Sequence, residues 1–219
     1  GESLLEILEN IYIASDKNFV DFRFPVQYVI KGEENYRAYA GQIASGILRK
    51  GDKILVLPSN QKSRVKKINK FKDVINEAFP QMSISVELED NIDISSGDMI
   101  VKPLNMPQVR KTLDVMLVSM DEEKLSHGKT YYLKHTSRTV RAKIDEITYL
   151  LDVSKLKRIE SKGLALNDIG RVSLKLDSSI FCDPYIKNRP TGSFILIDPL
   201  SGKTSAAGVI IDRKTNEAF

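Results

Sequence analysis

The chain has 219 residues, 42% hydrophobic and 28% charged, with 33 basic against 29 acidic side chains for a net charge of +4. That length holds one large domain or two ordinary ones, and the composition is that of a folded chain rather than a disordered one. No apolar run approaches the roughly 20 residues that span a bilayer, no signal peptide is visible, and a lone Cys182 excludes an internal disulfide framework. A reducing, cytoplasmic location with no membrane partner is expected.

The first segment, Ser3 to Ile11, reads as a short helix. Leu4, Ile7, Leu8 and Ile11 fall on one face at helical spacing, and Ser3 with Glu6 has the spacing of a capping box. It is too short to be stable alone. From Phe19 the period changes to two. Phe22, Phe24 and Val26 alternate with Arg23, Pro25 and Gln27, and turn signals bracket Tyr36 to Ala44. Ile54 to Leu57 reads as a short buried strand, Ile84, Val86 and Leu88 alternate, and Met99 to Val101 follows a Ser-Gly-Asp turn. Pro103 and Pro107 bound the best linker, because two prolines so close disfavour a helix or a central strand.

Beyond the linker the strand pattern restarts. It runs through Leu113 to Leu117, Tyr131 and Leu133, Val140 to Ile144, Val172 to Leu176, Phe194 to Ile197 and Ala206 to Ile211. No further helix is expected, apart from a turn around Val153 to Leu156. The expected architecture is all-β: two consecutive small β-barrels with a short N-terminal helical segment. The expected boundaries are 1–15 for the helical tail, 16–105 for the first barrel and 106–219 for the second.

The chemistry-bearing motifs fail on their physics. Gly202-Lys203-Thr204 resembles the end of a phosphate-binding loop, but the position of the first glycine is Ile197, and the tripeptide lies between two strands. It reads as a hairpin turn. Asn69-Lys70-Phe71-Lys72-Asp73 carries one residue too many for a guanine-reading motif. His127 and His135 lack partners at zinc-ligand spacing, and His135 reads as a packed or half-exposed strand histidine. Cys182 reads as a small apolar filler. Glu87, Glu89, Asp90 and Asp93 read as a solvated edge. The basic clusters Lys62, Arg64, Lys66, Lys67, Lys70 and Lys155, Lys157, Arg158 read as solvated faces, with a polyanion patch as the alternative. No catalytic, cofactor-binding or metal-binding residue is assigned.

Gly41, Gly46 and Gly51 recur at five-residue spacing, with a strand-length run between the first two. This stretch resembles the second domain of the elongation factor Tu superfamily, in which a GTPase domain is followed by two β-barrels. Further motifs resemble the large subunit of sulfate adenylyltransferase. They are Phe24-Pro25-Val26-Gln27-Tyr28-Val29, Val56-Leu57-Pro58-Ser59, Leu166-Asn167-Asp168-Ile169-Gly170, and the run from Asp183-Pro184-Tyr185 through Asn188-Arg189 and Thr191-Gly192-Ser193-Phe194 to Asp198. Ser96, Ser119 and Ser178-Ser179 depart from that pattern.

The resemblance implies a non-catalytic barrel portion of a GTP-regulated subunit that supports synthesis of adenosine 5′-phosphosulfate from ATP and sulfate. It implies GTP and Mg bound in an N-terminal GTPase domain outside this chain. The implied partners are that domain and a small catalytic subunit; in some relatives a C-terminal adenylylsulfate kinase domain follows, into which Asp212 to Phe219 could lead, and nucleic acid is not expected. The alternative is the barrel pair of a translation-factor GTPase that binds RNA.

Overall fold

The computed structural model describes residues 3–10, 17–33, 36–155 and 157–212. Helix α1 (Leu4–Asn10) has the expected capping box. The Ser3 backbone N–H donates to Glu6 Oε2 at 2.7 Å and the Glu6 N–H donates to Ser3 Oγ at 3.3 Å. None of its residues is buried, and Ile11 lies outside the described residues.

The chain then forms β1 (Arg23–Pro25), β2 (Tyr28–Lys31), β3 (Arg37–Gln42), β4 (Leu48–Arg49), β5 (Lys53–Leu57), β6 (Gln61–Lys70), β7 (Asp73–Ile75), β8 (Glu77–Ala78), β9 (Ser83–Leu88) and β10 (Met99–Val101). Their main sheet has the order β1-β10-β5-β6-β9-β3-β2. Residues 23–31 form one extended run that serves both edges, so the sheet curls back on itself. Alternating residues fill its inside: Phe22, Phe24 and Val26, then Ile54 and Val56, then Ile84, Val86 and Leu88.

The second sheet uses β11 (Gln108–Ser119), β12 (Leu125–Ser126), β13 (Thr130–His135), β14 (Arg138–Asp152), β15 (Lys157–Ile159), β16 (Gly163–Leu164), β17 (Ile169–Cys182), helix α2 (Arg189–Gly192), β18 (Ser193–Ile197) and β19 (Thr204–Ile210). Its order is β13-β18-β19-β11-β17-β14-β15, and β14 also pairs with β13. Six strands therefore form a closed ring. Its interior is packed with side chains such as Leu117, Tyr131, Leu133, Val172 and Leu196, as expected at this strand number.

Two local expectations are corrected. The run between Gly41 and Gly46 is not a strand of its own: Gln42 ends β3, and Ile43 to Ser45 leave the sheet, with only a single bridge from Ser45 to Arg23. Gly46 has φ +73°, and a Cβ there would lie 2.3 Å from the Phe22 Cα. The backbone must leave the sheet to make that approach. The other correction is α2, a single turn that begins at Arg189-Pro190. Proline presets the helical φ in a first turn, and four residues are too few to show a period. The expected turn is present over Val153 to Lys155, and Leu156 lies outside the described residues.

Candidate functional site at the seam between the barrels

The strand β1 is buried on both faces. One face carries Phe24 into the first barrel. The other carries Arg23, which is fully buried against the second barrel. The same two-sidedness explains the continuous apolar runs. In β5, Ile54 and Val56 point into the barrel, while Leu55 and Leu57 join Met99 and Val101 in a cluster capped by Phe181 of β17. A strand apolar at every position is one covered on both faces. Here the second cover is the neighbouring barrel.

Arg23 is the centre of the seam. Its Nε and Nη2 donate to the two carboxylate oxygens of Asp183, each at 2.9 Å. Its Nη1 donates to the Phe22 carbonyl at 2.9 Å and to the carbonyl of Asn105 at 2.8 Å. One guanidinium thus ties the first barrel, the interbarrel stretch and the second barrel together. Its planar fork suits a bidentate carboxylate, which lysine would not match.

Asp183 also accepts the Thr191 hydroxyl at 2.7 Å. The Thr191 carbonyl faces His135 Nε2 at 2.8 Å. A carbonyl only accepts, so Nε2 carries the proton. Around this core, Asn188 Nδ2 donates to Ser45 Oγ at 2.7 Å, whose hydroxyl in turn donates to the Asp21 carbonyl. Lys187 pairs with Asp21 at 3.2 Å. The Asp183-to-Ser193 motif is therefore the clamp that α2 shapes. Gly192 is required there, because a Cβ would lie 2.4 Å from the Tyr185 Cα.

His135 is packed, not half-exposed. Burial holds its imidazole below the usual range, and the Thr191 carbonyl and Asp183 only partly oppose that. The neutral ring belongs to the folded state, while an unfolded imidazole titrates near ~6.5. The stability it contributes is complete above that value and is lost as the pH falls below it, at no more than about 1.4 kcal/mol per pH unit. Urea midpoints should therefore drop between pH 7.5 and 5.5, and His135→Gln should flatten that slope. An unchanged slope in the variant would assign the dependence to other groups.

The remaining motifs are structural. Gly202 has φ +71° in the hairpin joining β18 to β19, where Asp198 accepts the Leu200 and Ser201 N–H groups. Phe71, with φ +53°, turns β6 into β7. His127 is exposed, its Nδ1 2.7 Å from the Asp145 carbonyl. Cys182 is buried in the second core, and burial with the adjacent Asp183 pushes its thiol up to about 12. Glu87 is held by Asn69 at 2.9 Å, and Asp90 accepts the Ser63 hydroxyl at 2.8 Å. Lys62, Arg64, Lys66 and Lys70 of β6 are exposed and Lys67 is half-buried, with Lys67 3.7 Å from Glu87 and Arg64 3.8 Å from Glu89. Lys155 and Lys157 are likewise exposed. Among the described residues no group of three or more His, Cys, Asp or Glu could hold a metal ion, and no helix is long and apolar enough to cross a membrane.

Comparison with known proteins finds relatives along nearly the whole chain. The chain is 47% identical over 213 residues to sulfate adenylyltransferase subunit 1 of Bacteroides fragilis, covering 97% of the chain and 45% of that protein. It is 46% identical over 215 residues to the bifunctional enzyme CysN/CysC of Rhodopirellula baltica, covering 98% of the chain and 33% of that protein.

Nearly the whole chain is similar to part of sulfate adenylyltransferase subunit 1.

It spans about half the length of the subunit 1 relatives it matches. Residues 112–211 also match the family described as GTP-eEF1A C-terminal domain-like. The fold is shared with the crystal structure of sup35 complexed with GDP, at TM-score 0.80 and 18% identity over 97% of this chain and 52% of that one. It is shared with translation elongation factor SelB of Methanococcus maripaludis at TM-score 0.73 and 17% identity, covering 95% of this chain and 45% of that one. The family motif Asp183-to-Ser193 is the one that supplies Asp183, Asn188 and Thr191 to the seam. Sequence reasoning missed Arg23 as its partner. The available signal was an arginine inside a strand of otherwise buried residues.

Proposed function

We propose that this chain is the β-barrel portion of the GTP-regulated large subunit of a sulfate adenylyltransferase, in which ATP and sulfate give adenosine 5′-phosphosulfate and pyrophosphate. In this reading the barrels carry out no covalent step. GTP and Mg belong to a GTPase domain of the same polypeptide, and adenylyl transfer belongs to a small subunit. What carries the reading is 47% identity, along nearly the whole chain, to a protein named for that activity. The fold alone does not separate this from translation, since the solved neighbours are only 17–18% identical. The bifunctional relatives support a fused kinase domain in some members of the family.

The seam suits a lever. Two barrels locked by a bidentate ion pair and a shared apolar cluster move as one body, because packed interfaces switch between arrangements rather than deform. A displacement imposed on either barrel is then delivered at the far end of the other.

The test is binding. The polypeptide that carries this chain should co-purify with the small subunit encoded in the same genome. Its affinity for RNA should be weak and show no steep salt dependence. Failure to bind the small subunit, with RNA affinity that falls by orders of magnitude between low and moderate salt, would replace this reading with the translational one.

A further inference from the structure

A second cleft opens at the seam, away from the Arg23 clamp. It measures about 460 Å³ and lies between the Ser96-Gly97 turn of the first barrel and the β13–β14 hairpin and β17 of the second. Its lining is rich in donors: Arg138, Arg141, Ser137, Thr139, Ser178 and Tyr132. The one carboxylate among the lining residues, Asp177, already accepts the Arg141 backbone N–H at 3.1 Å. The nearby Asp98 accepts the Ser95 N–H at 2.9 Å.

The two guanidinium groups differ in how they are held. The Arg138 guanidinium lies over the Phe181 ring, its Cζ 5.3 Å from the centroid, so the group rests on the apolar cluster that joins the barrels. Its Nε and the Ser137 hydroxyl are buried with no hydrogen-bond partner among the described residues. Arg141 is exposed on the outer face of β14. The Arg138 charge acts on the nearby Asp98 carboxylate, but neither arginine makes a close ion pair among the described residues. An unmet buried donor is costly, and reorienting it onto an acceptor held in the cleft removes that cost. A fixed planar fork beside hydroxyl groups matches a tetrahedral oxyanion.

We propose that this cleft binds a small oxyanion of the phosphate or sulfate class, either free or as the terminal group of a nucleotide. Because both barrels line the cleft, the anion would bind the locked arrangement and not barrels that have parted. The proposal stands apart from the adenylyltransferase reading, since it concerns only residues of this chain.

The test is an amide-resolved NMR titration of the labelled chain with inorganic phosphate, inorganic sulfate and AMP, at constant ionic strength set by sodium chloride. The expected result is saturable shifts confined to Gly97, Ser137 to Arg141 and Ser178. Arg141→Gln, an exposed change that leaves the remaining spectrum intact, should weaken binding at least three-fold. Arg138→Lys, which keeps the charge but loses the fork, should also weaken it. Tighter binding of AMP than of phosphate would assign the site to a nucleotide ester, and equal binding to the free anion. Shifts that rise linearly without saturating, that chloride reproduces, or that Arg141→Gln leaves unchanged would overturn the proposal.

Discussion

Arg23→Ala is expected to cost about 3–5 kcal/mol, the range for breaking one side of a buried ion pair. The pair itself is weak evidence of stability, because desolvating two charges offsets much of their attraction. Removing one partner is different, because it strands the other. Asp183 would remain at 2% exposure with only the Thr191 hydroxyl as a side-chain donor, and the Asn105 carbonyl would lose its bond to Nη1. Asp183→Asn should be nearly as damaging, since it leaves a guanidinium buried without its counter-charge. Arg49→Ala is the control. Its ion pair with Glu77 lies at the surface, with the arginine side chain 58% and the glutamate 33% accessible, and should be worth about 1 kcal/mol. Urea denaturation decides it. The wild-type chain should unfold in one transition, while Arg23→Ala should unfold earlier and split into two transitions as the barrels uncouple. A single transition displaced by less than the Arg49→Ala shift would show that the apolar cluster around Phe181 holds the seam without the ion pair.

Gly46→Ala should be the most damaging of the glycine substitutions in the five-residue repeat, at about 3 kcal/mol or more. Two costs add there. The residue sits at φ +73°, which disfavours a Cβ, and the added atom would meet the Phe22 Cα at 2.3 Å and its nitrogen at 2.5 Å. Those are backbone atoms of the segment that enters β1 and carries Arg23, so the clash reaches the seam. Gly51 has a similar φ of +84°, but a Cβ there meets nothing within 4 Å. Gly51→Ala should therefore cost only the backbone term, about 1–2 kcal/mol. Thermal unfolding of the two variants separates the terms. Equal losses would mean that backbone strain alone accounts for both and that the Phe22 segment yields.

Much of the fold was legible because alternation reports which face of a strand is covered. Ile84, Val86 and Leu88 alternate in the sequence and point into the core of the first barrel. In the second, the run Phe194 to Ile197 is apolar throughout in the sequence, and the structure turns Phe194 and Leu196 into the core. The long strands were harder to see. In β14 the register shifts at Ile144–Glu146 and again at Ile147–Tyr149, so the inward period is broken within one strand. Barrel closure was invisible, since β13 meets both its hairpin partner β14 and the distant β18.

The seam was half legible. The apolar runs at Ile54 to Leu57 and Met99 to Val101 announce a second cover but do not say what it is. Arg23 and Asp183 lie 160 residues apart, and no local pattern joins them. The resemblance picked out the Asp183 motif without its role, which becomes visible only when α2 and β1 are placed side by side.

The most direct measurement is formation of adenosine 5′-phosphosulfate from ATP and sulfate by the polypeptide that carries this chain, combined with the small subunit, with and without GTP. The account predicts GTP-stimulated product, and predicts that Arg23→Ala weakens the stimulation more than it weakens assembly with the small subunit. Product formation indifferent to GTP and to the presence of this polypeptide would contradict the proposed role and leave the family's fold without its function.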